Sequence, residues 1–239
     1  MGVKERRERE RTQVRERILD AALEVFADKG VEGVTMRALA DAIEYSAPVI
    51  YAHFRDKDAI IHELCHRQLR DLAKAFANFG ALDPVERLRQ IGYVYADFAV
   101  DHPSHFRFLF LMAHDLPEDE ELAKNDPERN AVAFLRQTVK DGLAAGVFRP
   151  EFTDADEIAQ ICWGAAHGFV ALHNIKGSNA WIEWRDARTT ARRLIDVTMN
   201  GLVKAELLKQ PTARATPRAT PAKTASRRQP ATTRRRPTN

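Results

Sequence analysis

An all-α fold is predicted for this chain by three observations. No stretch sustains the period-two alternation that a half-buried strand requires. Apolar residues recur instead at helical spacing, as at Met36, Leu39, Ala40 and Ile43, the i, i+3, i+4, i+7 series of one buried face. Capping side chains and Gly or Pro stops then divide the apolar runs into nine helices, three short ones followed by six longer ones.

Residues 1–14 read as a mixed-charge arm, and residues 1–17 together hold seven basic residues and four glutamates, the pattern of a solvated helix start. From about Arg15 to Lys29 the chain becomes amphipathic through Ile18, Ala22, Val25 and Phe26, and Gly30 ends this helix as a C′ glycine. Thr35 caps the next helix. Glu44 and Tyr45 follow it in a turn, and Ser46 caps a helix from Ala47 to Phe54 with Pro48 in its first turn. Ile50 and Phe54 give that helix a core side, leaving Ala47, Pro48, Tyr51 and Ala52 outward. Asp56 caps a helix that runs to about Phe79.

Asp83, Pro84 and Glu86 form a capping signature for a helix to about Val100, which His102 and Pro103 break. Residues Ser104 to His114 are apolar all round, which predicts a buried helix. Residues 115–126, with Pro117 and a run of acidic side chains, read as a loop. Asp126 and Pro127 begin a helix that ends near Gly146, Thr153 caps one to Ile175, and Asp186 begins the last, to about Leu208. Residues 210–239 are rich in Ala, Thr, Pro and Arg without apolar periodicity, so they are expected to be a disordered basic tail.

Composition narrows the classes further. A hydrophobic fraction of 44% with 30% charged residues is that of a globular chain. The longest apolar run, Phe108 to Ala113, is far too short to span a membrane, and the N-terminus lacks a signal-peptide core. Cys65 and Cys162 alone cannot build a disulfide framework or a four-cysteine zinc site. A cytoplasmic protein with two buried thiols is expected. His62 and His66 stand at i, i+4, as a metal clip or by chance; no carboxylate motif accompanies them, and no metal or cofactor is assigned. Motifs for nucleophilic hydrolysis, phosphate binding or zinc proteolysis are missing, so an enzyme is not expected. The net charge of +3 includes eight basic and no acidic residues after Gln210, leaving residues 1–210 at −5. Basic ends on an acidic body suit contact with a polyanion at the ends.

Residues 35–57, TMRALADAIEYSAPVIYAHFRDK, concentrate the functional signal. Two short helices and a tight turn form either a plain helical hairpin or a helix-turn-helix whose second helix enters a DNA major groove. Particular residues favour the latter. Thr35, Arg37, Leu39 and Ala40, then Tyr51, His53, Phe54 and Lys57, fit a T-x-R-x-[IL]-A and Y-x-[HY]-F-x-x-K pattern, preceded by Ile18, Ala21, Ala22, Phe26 and Gly30 in an I-x-x-A-A-x-x-x-F-x-x-x-G segment. Over roughly residues 12–65 the chain resembles the tetracycline-repressor (TetR) family of transcriptional regulators.

The resemblance implies a helix-turn-helix head at residues 15–56 and a helical ligand-binding and dimerisation domain at 57–209. It implies that Thr35, Tyr51, His53 and Lys57 hold phosphates of a palindromic operator, while Arg37, Ser46, Ala47 and Pro48 approach bases. The chain departs from the family at Glu44, which replaces the usual turn glycine, and at Ala47-Pro48, which replace a more polar pair. Because no Arg, Lys, Asn or Gln lies between Ser46 and Phe54, Arg37 is expected to supply the main base hydrogen bond, with Ala47 and Pro48 on thymine methyls. Arg11 and Arg15 would contact phosphates if the arm lies on DNA, and the tail either solubilises the chain or adds non-specific DNA contact.

For the body, the resemblance implies a small-molecule receptor that releases DNA when occupied. Tyr93, Phe106, Phe110, Trp163 and His167 are the candidate wall residues, each with plain core packing as the alternative. The 153–175 helix has apolar residues on two sides: Ile158, Ile161, Cys162, Ala165, Phe169 and Leu172, and separately Trp163, Ala166 and Val170. A homodimer is therefore expected through the last two helices, with Ala191, Leu194, Ile195, Thr198, Leu202 and Ala205 on the final one. Trp163, His167 and Gly168 also resemble the W-x-x-x-H-G signature of the WHG type of C-terminal domain, in line with the HPSHFRFLFL segment. Repression is the expected sign. The competing readings are activation, or an architectural DNA-binding protein without sequence choice.

Overall fold

The computed structural model describes residues 2–112 and 125–208. Most of the expected acidic loop and all of the expected basic tail lie outside them. Nine α-helices occur among the described residues: α1 (Val3–Lys29), α2 (Met36–Ala42), α3 (Ala47–Tyr51), α4 (Lys57–Ala77), α5 (Pro84–Asp101), α6 (Pro103–Phe106), α7 (Ala131–Ala144), α8 (Ala155–Lys176) and α9 (Ala187–Leu202). A π-helix, Arg107–Leu111, continues α6, and a 3₁₀ turn, Ala205–Leu207, follows α9. Among the described residues the only β pairing is a single bridge between Phe148 and Val203.

Local chemistry explains most boundaries. The Thr35, Asp56, Asp83 and Asp186 side chains each accept a hydrogen bond from a backbone N–H in the first turn that follows. Gly30 ends α1 at φ +77°, where a side chain would be strained. Two helix ends differ from expectation, α3 stopping at Tyr51 rather than Phe54 and α9 at Leu202 rather than about Leu208, and four starts or caps need correction. α1 begins at Val3, so the mixed-charge arm is the first half of one 27-residue helix. Asn130 caps α7, which moves its start from Asp126 to Ala131. Asp154, not Thr153, caps α8, accepting from the backbone of Asp156 and Glu157. Ser46 stands at the N-cap of α3, yet its side chain makes no cap hydrogen bond.

Two hydrophobic cores result. Ile18, Leu23 and Phe26 of α1 pack with Leu39, Ile50, Phe54 and the first half of α4 in the head core. Leu72 and Phe76 of α4 join α5, α7, α8 and α9 in the body core. α4 therefore belongs to both. The α6 segment does too: Phe106 is buried in the body core, while Phe108 is buried in the head core and stacks on Phe26 with ring centroids 5.8 Å apart.

Candidate DNA-binding face and internal cavity

The head presents α2 and α3 on its outer side. Arg37 projects from α2 exposed, and no hydrogen bond or ion pair within the described residues engages its guanidinium. Ser46, Pro48 and Tyr51 are exposed on α3, Tyr51 at 56%, while Ala47 is half-buried against the head core. Thr35 is exposed with its Oγ1 accepting from Ala38 N at 3.1 Å. The face thus offers one uncommitted cation, hydroxyls and apolar edges.

Three basic residues sit differently from expectation. His53 is half-buried, and its Nδ1 is enclosed without a partner. Burial, then the positive charges of Arg11 and Arg15, push its pKa below the ordinary 6.5, so the ring is neutral near pH 7. Lys57 Nζ donates to Val31 O at 2.9 Å, tying the start of α4 to the loop before α2. Arg15 is no free phosphate contact. Its guanidinium forms a two-pronged ion pair with Glu63, donates to His53 O at 2.7 Å and lies 4.2 Å over the Phe54 ring. It clamps α1, the end of the α3 segment and α4 together. A cue for this lies in the sequence: Arg15, Ile18, Leu19 and Ala22 share one helical face.

Within the body, α4, α5, α7, α8 and α9 line a partly open cavity of about 60 Å³. Its wall comprises Leu69, Leu72 and Phe76 of α4; Leu88, Ile91, Gly92 and Tyr95 of α5; Phe110; Ala131, Val132 and Leu135 of α7; Cys162, Trp163 and Ala166 of α8; and Ile195, Thr198 and Met199 of α9. None is charged. Of the five candidate wall residues, Phe110 and Trp163 are on this wall. Tyr93 is not: it turns towards α9, where its hydroxyl donates to Asp196 Oδ1 at 2.7 Å and Arg192 stacks on its ring. Phe106 is fully buried in the core. His167 is not on the wall but bonds to a residue that is, with Nδ1 2.7 Å from the Tyr95 hydroxyl.

Tyr95 is the aromatic wall residue with a hydroxyl that sequence reasoning missed. Leu88, Ile91, Gly92 and Tyr95 follow the i, i+3, i+4, i+7 series, which excludes Tyr93 and includes Tyr95. Trp163 Nε1 donates to the same hydroxyl at 3.2 Å, so Trp163, Tyr95 and His167 form one hydrogen-bonded cluster. Burial raises the Tyr95 pKa above its ordinary value, lowers that of His167 and raises the Cys162 thiol to about 12, so all three are uncharged at neutral pH. Cys65 is buried as expected, whereas Cys162 is only half-buried.

The outer sides of α8 and α9 leave an apolar surface. Leu172, Ile175 and Val197 are exposed at 50%, 57% and 65%, and Gly164 and Gly168 are exposed beside them on α8. The expected contact residues of the last helix need correction. Ala191, Ile195 and Leu202 are buried in the chain's own core, and Ala205 lies beyond the helix. No helix among the described residues is long and apolar enough to cross a membrane, and no group of three or more metal-ligating side chains occurs among them.

Comparison with known proteins bears on this arrangement. Residues 18–64 match the family described as bacterial regulatory proteins, tetR family, and residues 88–198 match the tetracyclin repressor-like C-terminal domain. The "Probable acrEF/envCD operon repressor" of Escherichia coli (strain K12) is 27% identical over 139 residues, which cover 57% of this chain and 63% of that protein. A bacterial regulatory protein in the tetR family from Rhodococcus RHA1 superposes with a TM-score of 0.64 at 20% identity, over 80% of this chain and 97% of its own. PfmR, a TetR family transcriptional regulator from Thermus thermophilus, superposes with a TM-score of 0.62 at 24% identity, over 80% and 98%.

Proposed function

The chain belongs to the tetR family of bacterial regulatory proteins, and from that premise we propose that it is a cytoplasmic transcriptional repressor. It binds a palindromic operator as a homodimer and leaves it when a small molecule occupies the body cavity. The observation that carries this reading is the exposed, uncommitted Arg37 on α2, with Pro48 and Tyr51 exposed on α3. Arg37 reads a base, Ser46, Ala47 and Pro48 meet base edges and thymine methyls, and Thr35 and Tyr51 hold phosphates. His53 serves there as a neutral group, and Lys57 as a cation whose remaining N–H bonds stay free for phosphate. The repressor relative supports the sign.

One short helix reads too little sequence alone, so two heads a helical repeat apart, roughly 34 Å, supply the specificity. The exposed Leu172, Ile175 and Val197 on α8 and α9 support pairing through these helices. Induction follows from the two shared elements. Leu72 and Phe76 on the cavity wall share α4 with head residues Ile60, Ile61 and Leu64, and Phe110 shares its π-helix with Phe108. An occupant that displaces this wall shifts α4 and α6, and with them the head. The WHG-type reading gains a physical role for its Trp and His, which both engage Tyr95.

The test is an operator titration with Arg37→Ala. Affinity is expected to fall by about 1–3 kcal/mol, with preference lost at one base position per half-site. Unchanged affinity and unchanged preference would remove Arg37 from base reading.

A further inference from the structure

We propose that the cavity takes an uncharged, mainly apolar molecule carrying one hydrogen-bond acceptor, a ketone or ester carbonyl, bound by the Tyr95 hydroxyl. This rests on the cavity being the effector site. Charge is excluded first. No wall residue carries one, and the nearest buried cation on α5, Arg89, is already paired with Glu86 and Asp196. A carboxylate or ammonium entering here would lose its hydration without gaining a partner. Thr198 offers little, because its hydroxyl donates to Leu194 O at 2.9 Å. Cys162 is a protonated thiol and a weak donor.

That leaves the Trp163–Tyr95–His167 cluster, where counting hydrogens decides the ligand chemistry. Trp163 brings an N–H, Tyr95 an O–H and neutral His167 one N–H. These three hydrogens serve only two bonds, at 3.2 and 2.7 Å. One donor is always left over. With the His167 proton on Nε2, Tyr95 donates to Nδ1 and the spare hydrogen stays on His167, a half-buried residue that is not on the cavity wall. With the proton on Nδ1, the imidazole donates to Tyr95, and the tyrosine hydrogen is left without a partner in the cluster, on a residue of the cavity wall. A carbonyl oxygen beside Tyr95 selects the second tautomer and takes up every donor hydrogen of the cluster. The cavity holds only about 60 Å³, so a ligand of medium chain length must also push aside flexible wall side chains such as Leu72, Leu88 and Met199.

The experiment is isothermal titration calorimetry of the full chain at pH 8 with methyl octanoate, octanoate and octylammonium. The ester should bind at least tenfold more tightly than either charged probe. Tyr95→Phe should weaken the ester about tenfold and leave the charged probes unchanged. Val132→Trp, placed at a wall residue that is 38% exposed and so compatible with folding, should block the ester. Charged probes that bind as well as the ester, an ester that does not bind, or no effect of Tyr95→Phe would each overturn the inference. Ester binding that survives Val132→Trp would instead overturn the cavity as the site.

Discussion

At the scale of single residues, two positions carry most of the head's geometry. Arg15 holds three segments at once through Glu63, the His53 carbonyl and the Phe54 ring. Glu44 closes the turn between α2 and α3 at φ +58°, a left-handed conformation where a side chain is strained. The family's usual glycine would relieve it. Glu44→Gly is therefore expected to raise the urea midpoint by the equivalent of about 0.5–1 kcal/mol; an unchanged or lower midpoint would mean that the Glu44 side chain stabilises the turn in another way. The strain was legible as a departure from the family pattern. Of the Arg15 clamp only its helical face was legible; its partners were not, because they lie 38 and 48 residues away.

Among elements, the α6 segment is the most informative. A run that is apolar all round predicts burial but not which core receives each ring. α6 ends with Phe106 in the body core, and the π-helix that continues it, with its wider turn, carries Phe108 to the head core and Phe110 to the cavity wall. Phe108→Ala should cost about 3–5 kcal/mol in equilibrium unfolding, as a fully buried ring does; a loss below about 1 kcal/mol would show that head and body are not joined through this ring. Helix caps were largely readable because they depend on neighbours within a turn: Thr35, Asp56, Asp83 and Asp186 all act as expected. Asn130 and Asp154 displaced the expected caps because another competent side chain stood nearby. Cavity walls were not readable this way. Five helices must be placed before Tyr95 is separated from Tyr93, although the α5 periodicity already favoured Tyr95.

For the whole molecule, three half-buried histidines share one sign. His53, His105 and His167 are all held below the ordinary 6.5, in each case mainly by burial. The unfolded chain therefore binds more protons than the folded one just below pH 6.5. Their contribution is complete above that value and is lost as pH falls through 6.5 towards the lowered folded values. The urea midpoint should drop between pH 7.5 and pH 5.5, above the range where Asp56 and Asp186, both lowered from 3.8, begin to titrate; a flat midpoint would contradict the assignment. In the proposed function an exposed Arg37, a shared α4 and an uncharged cavity combine into one ligand-controlled DNA reader. That function is tested most directly by competition binding between a duplex carrying the palindrome upstream of the coding sequence and a scrambled duplex of equal length. A strong preference for the palindrome, with two protomers bound per duplex, is the expected result. Equal binding to both duplexes would contradict it and leave a sequence-blind DNA binder.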